Sequence, residues 1–227
     1  MLINPVVVTA PAIQPVTVDE AKAQFRLELD DGQQDATVAG FIAAGTAFVE
    51  SYTGMALITR TYKGWMDRWP VDPRLSSSAP YAPALGWPWP GNGFIAYQRR
   101  AIELPRPPLQ SVAYIKTYDD TDVATVMDPA TYFVDPNNTV GRVVLRTSAT
   151  WPTPGRAANG IEIEWVAGFG DTADLVPDDF KHAILLMASH FNEHREAVVG
   201  VDNRDSSAPL PLGVLDALVG PHRVFTF

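Results

Sequence analysis

The chain reads as an α+β protein: two N-terminal helices and a long C-terminal helix form a helical core, an antiparallel β-hairpin subdomain is inserted between them, and an extended arm closes the sequence. Three observations predict this. Within 176–197, Phe180, Ala183, Ile184, Met187, Ala188 and Phe191 recur at three- and four-residue steps and so share one stripe of a 3.6-residue repeat. A second stripe of Val38, Phe41, Ile42, Phe48, Val49 and Tyr52 runs through 35–52. Between the two, β-branched and aromatic runs alternate with turn-forming clusters, the pattern of short strands.

Taken in order, residues 1–16 are apolar and extended, because Pro5, Pro11 and Pro15 block a helix. Thr17 and Glu20 form a T-x-x-E capping box ahead of Ala21, Phe25 and Leu29, which predicts a short first helix. A turn over 30–35 brings Asp35 to the N-cap of a second helix, which runs to about Tyr52 and is ended by Gly54. The face opposite its apolar stripe carries Ala36, Ala39, Gly40, Ala43 and Ala47, a smooth surface with none of the charge that a solvated face normally shows. Residues 1–56 form the first segment, and 57–170 the β subdomain. Strand signals cover 57–68, 94–104, 109–118, 123–126, 132–134, 141–146 and 161–167, interrupted at 70–93 by a long loop rich in proline, serine and tryptophan. Pro177, expected at the first helical position, and Asp178 and Asp179 against the positive helix end start the main helix, in segment 171–200. Leu185 and Leu186 fall outside its stripe, which points to a second contact, with a neighbouring subunit as the simplest candidate. Segment 201–227 recovers an apolar pattern at Val214, Leu215, Leu218 and Val219, too short to fold in isolation, and reads as an arm that docks on something else.

The totals exclude several classes. At 227 residues, 46% hydrophobic and 19% charged, the chain is long enough to bury a sizeable core and is not disordered overall. With no cysteine it forms no disulfide, thiolate metal site or cysteine nucleophile, and it suits assembly in a reducing cytoplasm. The opening lacks the basic start and long apolar run of a signal peptide, and no stretch reaches membrane-spanning length. A net charge of −9 argues against general binding of nucleic acid through a basic surface, which needs phosphate neutralisation.

Short motifs offer rival chemistries. His190, Glu193 and His194 spell H-x-x-E-H, the inverted zinc-peptidase pattern, but a catalytic zinc needs a third protein ligand; Glu196 is too near, and Asp216 lies in the tail. Trp87 and Trp89, with Tyr81 and Phe94, could stack on sugars or bases or anchor an interface; packing or an interface is the commoner use. The acidic groups Asp30, Asp31, Asp35 and Asp119, Asp120, Asp122 lack calcium-loop spacing and read as turns. Gly168, Gly170 and Asp171 lack the phosphate-loop pattern and read as strand termination. Arg99, Arg100 and Arg106 with Tyr97 form the most basic patch, with a solvated edge as the plain alternative.

One resemblance spans most of the chain. The opening VTVDEAKAQFRLE, VESYTG at the end of the second helix, IELPRPPLQSVAYIKTYD, Tyr132 with Asp135, WVAGFG, VPDDFKHAILLMASHF with Arg195, and PLGVLDALV with Arg223 occur in an order that resembles the head-tail connector, or adaptor, proteins of tailed phages and the related gene transfer agents. The order carries the resemblance more than any one motif. Loop 70–93 is longer than such proteins usually carry, and Phe191 and His194 stand where the family often shows tyrosine. The resemblance implies a non-enzymatic subunit of a ring, twelve copies in the family, fixed beneath the portal at the capsid vertex of a virion or virion-like particle assembled in the bacterial cytoplasm. The other face of such a ring meets a stopper or tail protein, and double-stranded DNA passes through the hole without specific binding, a passage that the acidic balance suits. No cofactor, metal or membrane is implied. On this reading Leu212, Val214, Leu215, Leu218, Val219 and Arg223 form the portal-docking arm. Ala36, Ala39, Gly40, Ala43, Leu185 and Leu186 make the subunit interface, and Trp87 and Trp89 a loop interface. The rivals are a zinc metallopeptidase at His190–His194, addressed by metal analysis, and a carbohydrate- or receptor-binding module in the tryptophan loop, addressed by glycan binding of Trp87→Ala.

Overall fold

The computed structural model describes residues 3–30, 32–70, 100–194 and 211–224. Among them the protein is α+β, with four α-helices and two antiparallel sheets. The chain divides into two units, one of Val7–Thr61, Arg106–Pro108 and Val166–Phe227, the other of Met1–Val6, Tyr62–Pro105 and Leu109–Trp165.

The first unit is built on helices. Helix α1 (Val18–Phe25) opens on the expected capping box: the Thr17 amide donates to Glu20 Oε2 at 2.7 Å and the Glu20 amide to Thr17 Oγ1 at 3.2 Å. It ends at Arg26, in the left-handed region at φ 59°, a turn earlier than the apolar pattern through Leu29 suggests. Lys22 is the physical reason: buried on α1, it donates from Nζ to the Leu29 carbonyl at 3.2 Å and pairs with Asp35, which ties Leu29 and the start of the next helix back to α1. Asp35 is thereby the first residue of helix α2 (Asp35–Thr53) rather than its cap; Gln34 takes the cap position without a side-chain bond. Gly54 closes α2 at φ 75°.

Helix α3 (Asp178–Glu193) starts one residue later than expected, with Pro177 outside the first turn and Asp178 and Asp179 inside it. Phe180, Ala183, Ile184, Met187 and Ala188 are buried as the stripe requires, and Phe191 packs at the margin of the core. They meet Val38, Ile42 and Val49 of α2. At the crossing stands Gly45: a Cβ there would sit 3.0 Å from the Ile184 carbonyl oxygen and 3.4 Å from the Ala188 nitrogen, so the two backbones approach as closely as they do only because position 45 has no side chain.

At the C-terminal end of α2 a buried carboxylate organises the incoming chain. Glu50 accepts the Leu57 amide at 3.0 Å and Arg60 Nη2 at 2.6 Å, while Arg106 Nη1 donates to the Glu50 backbone carbonyl at 3.0 Å. Burial pushes the Glu50 carboxyl above its ordinary range, against the opposing pull of the Leu57 amide, Arg60 and Arg106. The segment after Arg106 is tied in by backbone bonds from Ala56 to Pro107 and from Gly168 to Pro108, both at 2.9 Å. Gly168 sits at φ 136°, where an added Cβ would lie 2.6 Å from the Thr59 nitrogen.

Among the described residues there are eight strands: β1 (Val6–Thr9), β2 (Arg60–Met66), β3 (Ala101–Glu103), β4 (Leu109–Tyr118), β5 (Ala124–Val126), β6 (Tyr132–Asp135), β7 (Arg142–Leu145) and β8 (Ile161–Ala167). One sheet has the order β1-β2-β8-β4-β5 and the other β3-β7-β6. In the β4–β5 hairpin Lys116 stands opposite Val126, and Asp119 Oδ1 closes the turn by accepting the Thr121 and Val123 amides, each at 2.9 Å. Inside the β unit Trp165 stacks on Tyr62 with ring centroids 5.7 Å apart, and Trp69 on Trp151 at 4.4 Å. Alternation along β2, β4 and β8 sends Lys63, Trp65, Tyr114, Lys116, Tyr118, Glu162 and Glu164 into one polar network. Glu162 accepts Tyr114 Oη at 2.7 Å, Tyr118 Oη at 2.8 Å and Trp65 Nε1 at 3.1 Å, with Lys63 Nζ at 3.5 Å. Burial alone would raise this carboxyl, but the two tyrosine bonds and Lys63 outweigh it and hold it below the usual range. Beside it, burial and then the bond to Glu162 push the Tyr114 phenol up to about 12.

Two outcomes follow for stability, both read from chemical unfolding. Gly45→Leu overpacks the α2–α3 crossing and costs about 1–3 kcal/mol, whereas Gly40→Leu, with nothing within 4 Å of the added carbon, costs nothing measurable in the monomer. Because the folded state depresses the Glu162 carboxyl, its contribution is complete above the ordinary value of 4.5 and fades as pH falls through the lower folded value. The stability gap between wild type and Glu162→Gln therefore narrows in acid, and a gap that stays constant with pH would refute the assignment.

Candidate assembly surfaces

The small-residue face of α2 is exposed: Ala36, Ala39, Gly40 and Ala43 lie in the open, with nothing within 4 Å of the Cβ position at Gly40. The two α3 leucines are half-buried rather than free, and Leu185 packs on the protein's own core, so its apolar surface is largely used within the chain.

The C-terminal segment requires a correction. It is not an extended arm but a helix, α4 (Leu212–Val219), followed by a short 3-10 turn at Gly220–His222. Leu215 and Val219 are 0% exposed and belong to the same core as Ile42, Val49, Ile184 and Met187, with Leu218 packed at its edge. The physical reason is that α2 and α3 leave an apolar groove which a short amphipathic helix can fill, so the tail finds its mate in its own chain. Polar contacts fix it there. Tyr52 Oη donates to Asp216 Oδ1 at 2.6 Å, the Arg223 guanidinium lies 4.8 Å from the Tyr52 ring centroid, and the Val224 amide donates to the Thr53 carbonyl at 2.8 Å. The bond to Asp216 raises the Tyr52 phenol, since ionising it would set two anions together. His222 stands 3.6 Å from Asp179, its ring 5.0 Å from Phe180. Of the six predicted arm residues, Leu212 and Val214 keep open apolar surface, at 46% and 54%.

The rival motifs resolve into local structure. The rings of His190 and His194 stack at 4.5 Å, and His194 Nδ1 lies 3.1 Å from the His190 carbonyl; no group of three metal-capable side chains occurs among the described residues. Arg100 donates to the Arg146 carbonyl at 2.6 Å and Arg106 to Glu50, so these two arginines of the basic patch serve the fold. Asp122, in the β4–β5 turn, pairs with Arg156, and Asp35, at the start of α2 rather than in a turn, pairs with Lys22. Trp87 and Trp89 lie outside the described residues. Sequence reasoning overlooked Gly45, although its place on the apolar stripe between Ile42 and Val49 was a signal that a backbone packs there. It also overlooked Lys22, Glu50 and Glu162, buried charges that no periodicity marks.

With the geometry in hand, the fold can be placed: it is the fold of chains found in gene transfer agent (GTA) particles. A chain in the neck of an empty GTA particle computed with C6 symmetry matches with a TM-score of 0.71 and 23% identity. A chain in the virion of a native GTA particle matches at 0.66 and 23%, and one in the neck of a native GTA particle computed with C12 symmetry at 0.65 and 22%. Each alignment covers 100% of this chain and 97% of the other. No family model and no curated protein matches the sequence.

The docked tail makes a direct prediction. Leu215→Ala empties a fully buried site and costs about 2–5 kcal/mol, while Val214→Ala, on the open side, leaves the unfolding midpoint within about 0.5 kcal/mol of wild type. Equal losses for the two would place α4 differently.

Proposed function

We propose that this chain is a structural head-tail connector, or adaptor, subunit that forms a ring below the portal and joins a capsid vertex to stopper or tail proteins, with DNA passing through its lumen. The observation that carries the reading is the shared fold with GTA neck and virion chains along the entire length of this one. The exposed alanine and glycine face of α2 supports it, because a surface without long or charged side chains lets a neighbouring backbone approach closely at little entropic cost. In this reading Ala36, Ala39, Gly40 and Ala43 meet the next copy. Leu212 and Val214, with Arg223 at the same end of the chain, face the portal, while Leu215 and Val219 hold the segment in position from beneath. The net charge of −9 is repeated in every copy of the ring, which favours passage of DNA over adhesion to it.

Negative-stain imaging of the purified protein with and without portal tests the reading directly; rings seated on the portal are expected. Ala39→Trp or Ala43→Trp should abolish these rings while leaving the unfolding midpoint of the subunit unchanged. Normal rings from both variants would remove this face from the interface.

A further inference from the structure

The five-stranded sheet ends in β1 on one side and β5 on the other. Among the described residues, neither end carries the usual protection of an edge. Val6, Val7 and Val8 are 47%, 44% and 52% exposed, and Val126 of β5 is 55% exposed. Successive side chains of a strand point to opposite faces, so exposure of three valines in a row means that β1 is covered on neither face. Edges of self-contained sheets are normally guarded by lysine, proline, a bulge or a covering element, because open backbone groups and apolar side chains recruit further strands. The β1 strand reads VVVT and β5 reads ATV, with no charge and no proline in either.

We propose that β1 of one copy pairs edge to edge with β5 of the next, so that the sheets of neighbouring subunits run together around the ring. The proposal rests on the ring reading above and adds the contact that builds it. Four residues face three, a matched short ladder, and the apolar valines of both edges become cross-strand pairs, which contribute to sheet stability. The geometry selects a second copy as occupant. Each copy carries both edges, so β1 of one and β5 of the next form a heterologous contact, which builds a ring where the repeated rotation closes. The long loop of the same chain is a poorer occupant, because its six prolines over 70–93 cannot donate to a ladder.

The cysteine-free sequence allows a clean test. Val7→Cys is combined in turn with Ala124→Cys, Thr125→Cys and Val126→Cys in the full-length protein, which is then oxidised mildly and run on a non-reducing denaturing gel. Paired strands bring Cα atoms to about 4.5–5.5 Å, within disulfide range, so at least one double variant should give a ladder of multimers while each single variant stays monomeric. Dimers from Val7→Cys alone would mean that β1 pairs with β1, and would overturn the proposal. So would the absence of a ladder in all three doubles, the outcome if the chain's own loop covers an edge. Imaging the same samples separates the two readings. Rings without a ladder leave the connector assignment standing and remove the edge contact; a ladder from open filaments keeps the contact and counts against the closed ring.

Discussion

The helical unit depends on how closely α2 and α3 approach each other, and that distance is set by a missing side chain. With only hydrogen at Gly45, the carbonyl of Ile184 and the amide of Ala188 come within contact of the opposite backbone. The stripes on the two helices then interdigitate instead of touching at their tips. This closeness shapes the groove that receives Leu215 and Val219, and it positions Tyr52 and Thr53 to hold the C-terminal segment through Asp216 and Val224. A wider crossing would leave each of these contacts short of its partner.

Two buried carboxylates do opposite things. Glu50 takes its backbone and arginine partners at the cost of desolvation that those partners only partly offset, and its proton is held more tightly than in water. Its value is geometric: it orders the chain between the end of α2 and the start of β2, where a loop would otherwise be free to wander. Glu162 sits among more donors, two phenols, an indole and nearby ammonium groups, and these stabilise the charged form beyond what burial removes. The same residue type therefore acts as an anchor that folding strains in one place and as a net electrostatic contribution in the other.

What could be read from the sequence follows from the range of the forces involved. The α3 stripe, the T-x-x-E cap and the strands 109–118 and 161–167 were legible because periodicity and capping are local. The bounds of the two strands and the starts of α1 and α3 agree with the observed elements to within a residue or two, while α1 ends earlier than its apolar pattern suggests and α3 ends at Glu193, short of the stretch to 197. Strand β1 was legible only as extended chain, since its partner β2 begins some fifty residues later. Helix α1 stops at Arg26 because Lys22 reaches a carbonyl and a carboxylate beyond the helix, which no apolar pattern encodes. The tail illustrates the limit most clearly. Val214, Leu215, Leu218 and Val219 announced a short apolar helix in need of a surface, but amphipathicity measures how much area must be covered and says nothing of whose surface covers it. The open face of α2 was legible for the converse reason, as a helix side with neither bulk nor charge.

The tail's place in the core carries a consequence for synthesis. Tyr52 and Asp216 are 164 positions apart, and Leu215 and Val219 complete a core that otherwise forms from residues up to 187. Until α4 has left the ribosome, α2 and α3 therefore stand with an uncovered greasy channel between them. Closure of the core waits for α4 itself, and a chain cut before Leu212 carries that channel open, the kind of exposed apolar surface that makes an incompletely folded chain prone to aggregate.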